Sequence, residues 1–521
     1  MWDAKFFEEA MQLFAEALQE QPQNEAFFEH LMGVWTESKH HVLSWSLRET
    51  VCKTLKPYTS VAGMNRFDTA RFCFRHGFPK DATEIYHSII ADMEAGLIDD
   101  IKDINSLKHN KGLAKIFDGD DAGIAEIESV FRDVLSTIPK DLLSPTGSSP
   151  PYTVYLVNRL LDFFPYEIFV PKQDVVYSIN HPPPKDSGLA VAKLHTFSDK
   201  SGLLFEFKDI YQVEYGVYRT PNNDFIIYDV GIFGTLTSYT SSVLNHTPVS
   251  KVVEIDTGLF LAAWSKNYYH WLIEGMSRLV YAMNNGYFDR FPGAVITLPA
   301  KEPAFITQSL NMISFPLHRR KGVNFPSEQA HYKRLHIPVS GVWDDLPPFT
   351  SSVHNQLPSR SLIQNLNKFL TPHPKPLSQR TQIIYISRKD EHRNTYFDDS
   401  LIPRLKTLFG NKLEILTTPI PTVQMQREMF QRARIVIGAH GAGLANIIFA
   451  APNKTAIIEF PMDSDHHNLY FSHVAASLDM YYWQLPALVN TYYTNYENKP
   501  AFVDAIIKAA TATAAFMEAL E

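Results

Sequence analysis

Cysteine is nearly absent from this chain of 521 residues, which contains only Cys52 and Cys73. Two cysteines do not form the disulfide framework of a small secreted protein, and their scarcity favours a reducing compartment. An excess of positive charge is missing as well, because the net charge is -8 and leaves no basic footprint. Nucleic acid is therefore not an expected partner.

Long apolar runs are also missing. Residues 1–21 predict an acidic amphipathic helix without the basic start or the unbroken apolar core of a signal peptide. No later stretch reaches the roughly 18 consecutive apolar residues of a membrane-spanning helix. Since 45% of the residues are hydrophobic and 13% are aromatic, the chain is expected to fold into a globular structure. We therefore predict a soluble, cytoplasmic protein with no membrane span.

The chain is too long for one hydrophobic core, and a prior of ~150 residues per domain predicts about three domains. Residues 1–148 have helical spacing of apolar residues and almost no strand signals, which predicts an N-terminal helical domain. Residues 152–355 and 356–490 each alternate strand and helix patterns, which predicts two α/β domains, and residues 491–521 predict a C-terminal helix. The helical domain either completes the core or provides a surface for a substrate, a protein partner or an oligomer contact.

The most informative stretch is residues 434–446, in which an apolar, β-branched run leads into three glycines. The run predicts a strand buried on both faces. Gly438, Gly441 and Gly443 permit a tight turn and close approach of a ligand to the backbone, and the residues from Leu444 onward predict a short helix. Free N–H groups and a helix dipole at such a turn favour an anion. An ordinary tight turn with a buried histidine is the alternative.

Polar side chains surround this turn in the predicted fold. His440 lies within the turn and can add a donor, and Glu459 ends the next predicted strand, at the sheet edge where open α/β folds bind ligands. Arg388 follows the predicted strand 382–387, and its forked guanidinium suits a phosphate group. Arg393 lies just beyond and is either a second phosphate ligand or a solvated loop charge.

A second polar group lies in residues 266–279, which have helical periodicity. His270 and Glu274 are one turn apart on the face opposite the apolar residues, so their side chains can touch. A solvated polar face would have the same pattern. The aromatic residues at the start of the helix, among them Tyr268 and Tyr269, instead favour the wall of a cleft.

Together these features resemble glycosyltransferase family 61 over about residues 225–485. The motifs that carry the resemblance are Asn267-Tyr-Tyr-His-Trp-Leu272, Ser387-Arg388, Gln426, His440-Gly-Ala-Gly-Leu-Ala-Asn446 and Glu459. The resemblance implies a GT-B-like pair of Rossmann-like domains facing a cleft, the second of which binds a nucleotide-sugar. Gln426 lies on the apolar face of a predicted helix, so its amide must find buried partners.

The resemblance also implies an inverting, metal-independent transfer of a sugar to a saccharide or glycoconjugate acceptor, without a cofactor. A UDP-sugar is the donor we expect. Because the chain lacks the signal anchor of secretory members, a bacterial cytoplasmic enzyme of envelope polysaccharide synthesis is the better fit. The expected donor-binding residues are Arg388, Arg393, Gly438, His440, Gly441, Ala442, Gly443, Asn446 and Glu459.

The chemistry explains these roles. Negative charge grows on the leaving diphosphate, and fixed donors at that charge lower the barrier. Glu459 can accept hydrogen bonds from ribose hydroxyls. An inverting transfer needs a base for the acceptor hydroxyl, for which Glu274 is the first candidate, with His270 orienting it or touching the donor.

Two alternative functions remain from the sequence. A nucleotide-sugar epimerase shares the two-domain fold, and a non-catalytic sugar-nucleotide-binding protein would use the helical domain for protein contact. The pair Asp463 and Asp465 follows a strand, as does the D-x-D motif by which many transferases hold manganese. We expect this pair to be a coincidence, because the same strand already supplies Glu459.

Overall fold

The structure is a computed structural model. The chain folds into two compact units. One comprises Met1–Thr137, Leu346–Val353 and Met462–Asn468, and the other comprises Ile138–Asp345, His354–Pro461 and Leu469–Glu521. The structure describes residues 4–20, 30, 45–55, 66–67, 69–70, 73, 78–97, 104–118, 120, 122–137, 154–156, 166–171, 176–178, 181–191, 196–198, 202–214, 216–221, 224–227, 250–262, 266–325, 327–340, 357–388, 397–460, 470–485 and 499–520.

The first unit is helical wherever it is described. Its helices are α1 (Ala4–Glu20), α2 (Trp45–Leu55), α3 (Pro79–Glu94), α4 (Ile104–Phe117) and α5 (Ala122–Ser136). Apolar residues spaced by one helical turn, such as Ile85, Tyr86 and Ile89, form its core. The domain boundaries at residues 148 and 355 stay predictions.

The two cysteines lie in this core and form a disulfide. The Cα atoms of Cys52 and Cys73 are 5.4 Å apart, within the usual range for a disulfide. Both side chains are buried. The number of cysteines did not predict this pairing, and the reducing compartment expected from the sequence stays a prediction.

The second unit is a mixed α/β structure, as predicted, and contains two main sheets. The strands of its first part are β1 (Val154–Leu156), β2 (Tyr166–Val170), β3 (Val176–Ser178), β4 (Thr196–Ser198), β5 (Gly202–Glu214), β6 (Val217–Arg219), β7 (Phe225–Ile227), β8 (Lys251–Leu259), β9 (Val295–Pro299), β10 (Arg320–Val323) and β11 (Glu328–Ser340). The larger sheet has the order β1-β7-β6-β5-β11-β8-β9-β10, with β2 pairing with β5, and β3 and β4 form a separate ribbon.

Only part of the larger sheet is parallel. The block β11-β8-β9-β10 is parallel throughout, whereas β11, β5, β6 and β7 pair in an antiparallel manner. The helices of this part are the π-helix His270–Gly275, which continues as α6 (Met276–Asn284), then α7 (Tyr287–Arg290), α8 (Ala304–Met312) and a short 3-10 helix (Leu317–Arg319).

The second sheet is entirely parallel in its described strands. These are β12 (Gln382–Ile386), β13 (Leu413–Leu416), β14 (Ala433–Ala439), β15 (Ala456–Phe460) and β16 (Tyr481–Gln484), in the order β13-β12-β14-β15-β16. Its helices are α9 (Arg360–Leu370), α10 (Asp398–Phe409), α11 (Val423–Phe430), α12 (Tyr470–Ser477) and α13 (Lys499–Ala519), with 3-10 helices at Leu377–Gln379, Gly410–Lys412 and Ala442–Phe449. The strand order reverses between β12 and β14, and this switch point is where such sheets bind ligands.

The last helix differs from the prediction in one respect. Within α13, residues Pro500–Ala519 are long and apolar enough to cross a membrane by length and composition. The helix nevertheless packs on the second sheet, where Val503 and Ile506 are buried and Arg434 donates a hydrogen bond to the carbonyl oxygen of Met517. Of the most apolar 18-residue window of this helix, 33% is buried inside the protein.

Candidate active site

The glycine turn lies at the switch point of the second sheet. Strand β14 ends at Ala439, and the chain turns through His440 and Gly441 into the 3-10 helix Ala442–Phe449. Neighbouring strand β12 ends at Ile386, so residues that follow the two strands emerge at the same edge. The predicted strand, turn and helix are confirmed, although the helix is of the 3-10 type.

Arg388 lies directly against this turn. Its Nη1 donates a hydrogen bond to the carbonyl oxygen of His440 at 2.9 Å. A Cβ atom at Gly441 would lie 1.7 Å from the same nitrogen. Because the φ of Gly441 is 163°, its backbone is extended, and glycine is required here for space and not for conformation.

The other two glycines make room for a strand. A Cβ atom at Gly438 would lie 3.1 Å from Cβ of Ile386, and one at Gly443 would lie 3.1 Å from Cγ2 of the same residue. The sequence predicts that these glycines allow a ligand to approach. The structure shows that they make room for Ile386 of β12.

Glu459 holds the imidazole of His440. Its Oε1 lies 2.6 Å from Nδ1 of His440, and its Oε2 accepts hydrogen bonds from the hydroxyl of Tyr482 and from Nε2 of Gln484. Burial, and then the charge of Glu459, raises the pKa of Tyr482 well above its usual value, so this hydroxyl stays a donor. Glu459 is only 1% exposed.

This arrangement differs from the predicted contact between Glu459 and a ribose. Both carboxylate oxygens are engaged within the protein and the side chain is buried, and the contact with a ribose stays a prediction. A carboxylate that binds one ring nitrogen fixes the orientation of a histidine and raises the basicity of the other nitrogen. Glu459 therefore positions His440.

Asn446 has a similar supporting place. Its side chain is fully buried, its Nδ2 donates to Oε1 of Gln426 at 2.7 Å and to the carbonyl oxygen of Gly443 at 2.9 Å, and its Oδ1 accepts from the hydroxyl of Tyr268 at 2.7 Å. Gln426 also donates to the carbonyl oxygen of Pro421 at 2.8 Å. The prediction that Gln426 finds buried partners is confirmed. Asn446 connects protein elements, and its contact with a donor stays a prediction.

His270 and Glu274 form a buried pair. Nδ1 of His270 lies 2.9 Å from Oε1 of Glu274, within the π-helix His270–Gly275. The two residues are 8% and 7% exposed, so the alternative of a solvated polar face is wrong. π-Helical turns are rare in proteins, and those that occur lie frequently at functional sites. In sequence a π-helical turn has the same pattern as an α-helix, which is why the periodicity did not reveal it.

Aromatic rings connect this pair with the glycine turn. The ring of Tyr269 lies 4.6 Å from that of Tyr470 and 5.5 Å from that of Phe471, and Phe471 lies 5.1 Å from the ring of His440. The ring of His270 lies 5.8 Å from that of Tyr470. The pair and the turn, predicted from distant parts of the chain, therefore share one aromatic cluster.

Several predicted residues lie outside the described ranges or have no ligand role that the contacts define. Arg393, Asp463 and Asp465 are outside the described residues. Ala442 begins the 3-10 helix. Within the described residues, no group of three or more His, Cys, Asp or Glu side chains could hold a metal ion.

The structure adds residues that sequence patterns did not identify. Ser387 donates a hydrogen bond to Asp398, which also accepts from the hydroxyl of Tyr385 at 2.5 Å, and these contacts hold the chain just before Arg388. Tyr482, which donates to Glu459, is a further example. The sequence offers no signal for such pairs, because each partner lies on another element.

Comparison with known proteins agrees with this geometry. The family described as Glycosyltransferase 61 matches residues 268–458, a segment that includes the His270–Glu274 pair, Arg388 and the glycine turn. The match supports a glycosyltransferase as the class of this protein. Within that class, the matched segment is similar to glycosyltransferase family 61, which confirms the resemblance found in the motifs. No curated protein matches the chain.

Proposed function

We propose that the protein transfers a sugar from a nucleotide-sugar donor to a saccharide or glycoconjugate acceptor, with inversion at the anomeric carbon. The observation that carries this proposal is the position of Arg388 against the glycine turn, at the switch point of a parallel sheet. A guanidinium and a glycine turn at this edge together favour a phosphorylated ligand.

The diphosphate of the donor binds at this edge. Arg388 supplies a forked donor, and the backbone N–H groups at the start of the 3-10 helix Ala442–Phe449 add further donors. His440, held by Glu459, directs its imidazole at the same charge. These groups stabilise the negative charge that grows on the diphosphate as the bond to the sugar breaks.

The acceptor is activated by the His270–Glu274 pair. Glu274 accepts a hydrogen bond from Nδ1 of His270, which leaves Nε2 as the basic nitrogen of the imidazole. His270 is also the member of the pair whose ring contacts Tyr470, next to the glycine turn. We therefore exchange the roles expected from the sequence and propose His270 as the base and Glu274 as its positioning residue.

The reaction then balances without a further reactant. The oxygen of the acceptor hydroxyl attacks the anomeric carbon from the face opposite the diphosphate, and its proton passes to His270. The bond between the anomeric carbon and the diphosphate oxygen breaks, and the nucleoside diphosphate leaves with the electron pair. Inversion follows because a single displacement occurs.

The finer features of the proposal are these. The two sheets of the second unit form a GT-B-like pair, which is supported by the hydrogen bond from Tyr268, before the π-helix, to Asn446 in the 3-10 helix Ala442–Phe449. The cationic donors Arg388 and His440 take the place of a metal ion at the diphosphate. By the family resemblance alone, the donor is a UDP-sugar and the enzyme acts in the cytoplasm, in bacterial envelope polysaccharide synthesis.

A donor screen tests the proposal. The melting temperature of the protein is measured with a panel of nucleotide-sugars, since a ligand at 100 times its Kd stabilises by about 2.7 kcal/mol. The donor that raises it is then incubated with saccharide acceptors, and the anomeric configuration of the product is read by NMR. An inverted glycoside supports the proposal. An epimerised nucleotide-sugar would indicate the epimerase alternative, and binding without any product would indicate the non-catalytic one.

A further inference from the structure

A chain of hydrogen bonds crosses from the His270 segment to the glycine turn. The hydroxyl of Tyr268 donates to Oδ1 of Asn446 at 2.7 Å, and Nδ2 of Asn446 donates to Oε1 of Gln426 at 2.7 Å. Asn446 is separated from Tyr268 by 178 positions in sequence and lies in the 3-10 helix that begins at the turn. These hydrogen bonds thus connect the segment just before the π-helix His270–Gly275 to the middle of the 3-10 helix Ala442–Phe449.

The hydroxyl of Tyr268 is a dependable donor in this chain. Burial raises the pKa of Tyr268 far above its usual value, so the group stays protonated. Its acceptor, Asn446, is fully buried, and a buried amide that loses a partner is left with an uncompensated polar atom. Removing the hydroxyl therefore perturbs Asn446 and, through its bond to the carbonyl oxygen of Gly443, the turn itself.

Helix α8 contacts both the Tyr268–Trp271 segment and helix α11, which contains Gln426. The ring of Phe305 packs on that of Tyr268 with centroids 5.3 Å apart, and Oγ of Ser309 accepts the indole N–H of Trp271 at 2.7 Å. On the other side, Oε1 of Gln308 accepts the backbone N–H of Val423, at the first turn of α11, at 2.9 Å. The ring of Tyr268 is thus fixed by packing, and its hydroxyl makes the connection to the turn.

We propose that Tyr268 is a positioning residue that sets the distance between the His270–Glu274 pair and the donor bound at the glycine turn. Tyr268 lies two residues before His270, so a bond at its hydroxyl fixes where the π-helix begins. Displacement of a reacting group by about 1 Å is enough to cost roughly 100-fold in rate. This inference rests on the proposed function, because it concerns the geometry of the same transfer.

The variant Tyr268→Phe tests the inference, because it keeps the ring and removes only the hydroxyl. We expect kcat for the donor that the wild-type protein turns over to fall roughly 10- to 100-fold, with little change in the KM of that donor. The rise in melting temperature caused by UDP should remain, since Arg388 and the turn stay in place. A matched control is Tyr332→Phe, which removes a buried hydroxyl bonded to Gln212 and Thr297 in the larger sheet.

A double-mutant comparison with Gln426→Met separates positioning from general destabilisation. If Tyr268 acts through Asn446 and Gln426, the double variant Tyr268→Phe/Gln426→Met should be no slower than the slower single variant. Multiplying effects, a kcat of Tyr268→Phe equal to that of the wild type, or an equal loss in Tyr332→Phe, would overturn the inference. If the wild-type protein turns over no donor, the proposed function fails instead.

Discussion

The guanidinium of Arg388 fills the space that a side chain at Gly441 would need. Nη1 of Arg388 lies where a Cβ atom at position 441 would be only 1.7 Å away, and the same nitrogen donates to the carbonyl oxygen of His440. The glycine and the arginine are therefore one feature, since each requires the other. Both residues lie at the switch point of the second sheet, and the proposed diphosphate site rests on the contact between them.

The first prediction concerns this contact. Gly441→Ala should lower kcat/KM about as much as Arg388→Ala, by roughly 100-fold, because the methyl group displaces the guanidinium from the diphosphate. Gly443→Ala should have a smaller effect, since its Cβ would meet only Cγ2 of Ile386 at 3.1 Å. Steady-state kinetics and melting curves of the three variants check this. Wild-type turnover in Gly441→Ala would contradict it.

The second prediction concerns the support of His440. Glu459→Gln should lower turnover by roughly 10-fold, because a neutral amide orients the imidazole without a charge. Glu428→Gln changes an exposed carboxylate of α11 and serves as the matched control. Equal turnover in the two variants would show that Glu459 has no effect on the site.

The third prediction concerns the base. His270→Ala should abolish transfer and leave the UDP-induced rise in melting temperature intact, whereas Glu274→Gln should retain a residual rate. If Glu274→Gln abolishes transfer and His270→Ala does not, the carboxylate is the base, as first expected from the sequence.

Local patterns in the sequence were sufficient for the strand, turn and helix around residues 434–446. A run of β-branched residues that ends at glycine is compatible with few structures other than a buried strand, and the glycine indicates the turn directly. The same periodicity placed His270 and Glu274 on one face, but it could not show what covers that face. It also did not distinguish a π-helix from an α-helix, because the spacing of apolar residues is nearly the same.

The roles of Glu459 and Tyr268 could not be read from the sequence. Glu459 meets Tyr482 because β16 is the neighbour of β15, and strand order is a property of the whole sheet. Tyr268 meets Asn446 across 178 positions, a contact without any local signal. The disulfide between Cys52 and Cys73 could not be read from the sequence either, because the number of cysteines does not show which of them lie close together in the fold.

The fourth prediction concerns acid stability. Burial lowers the pKa of His473 to about 3, so between about pH 6.5 and about pH 3 the unfolded chain binds a proton that the folded chain does not. The free energy of unfolding therefore falls as the pH drops through this window, by at most about 1.4 kcal/mol per pH unit from this group. Above about pH 6.5 this group adds no pH dependence.

Denaturant unfolding at about pH 7.5 and about pH 5 checks the fourth prediction. The wild-type protein should lose more stability between the two values than His473→Gln, which keeps a polar side chain next to the hydroxyl of Tyr177. An equal loss in both proteins would contradict it, whatever their absolute stabilities.

The fifth prediction is that transfer continues after exhaustive chelation with EDTA. Arg388 already brings positive charge to the proposed diphosphate site, and a cation beside it is electrostatically unfavourable. Asp463→Ala and Asp465→Ala should accordingly retain turnover. Loss of activity under EDTA, rescue by manganese and loss in both aspartate variants would show that a metal ion takes part.

Release of nucleoside diphosphate from a nucleotide-sugar is the most direct test of the central claim, that Arg388 and the glycine turn bind the leaving diphosphate. The rate is measured for the wild-type protein, for Arg388→Ala and for Arg404→Ala, which removes an exposed arginine paired with Asp504. We expect the wild-type protein and Arg404→Ala to release nucleoside diphosphate, and the release rate to fall roughly 100-fold or more in Arg388→Ala. Equal release by all three proteins, or none by any of them with every nucleotide-sugar, would contradict it.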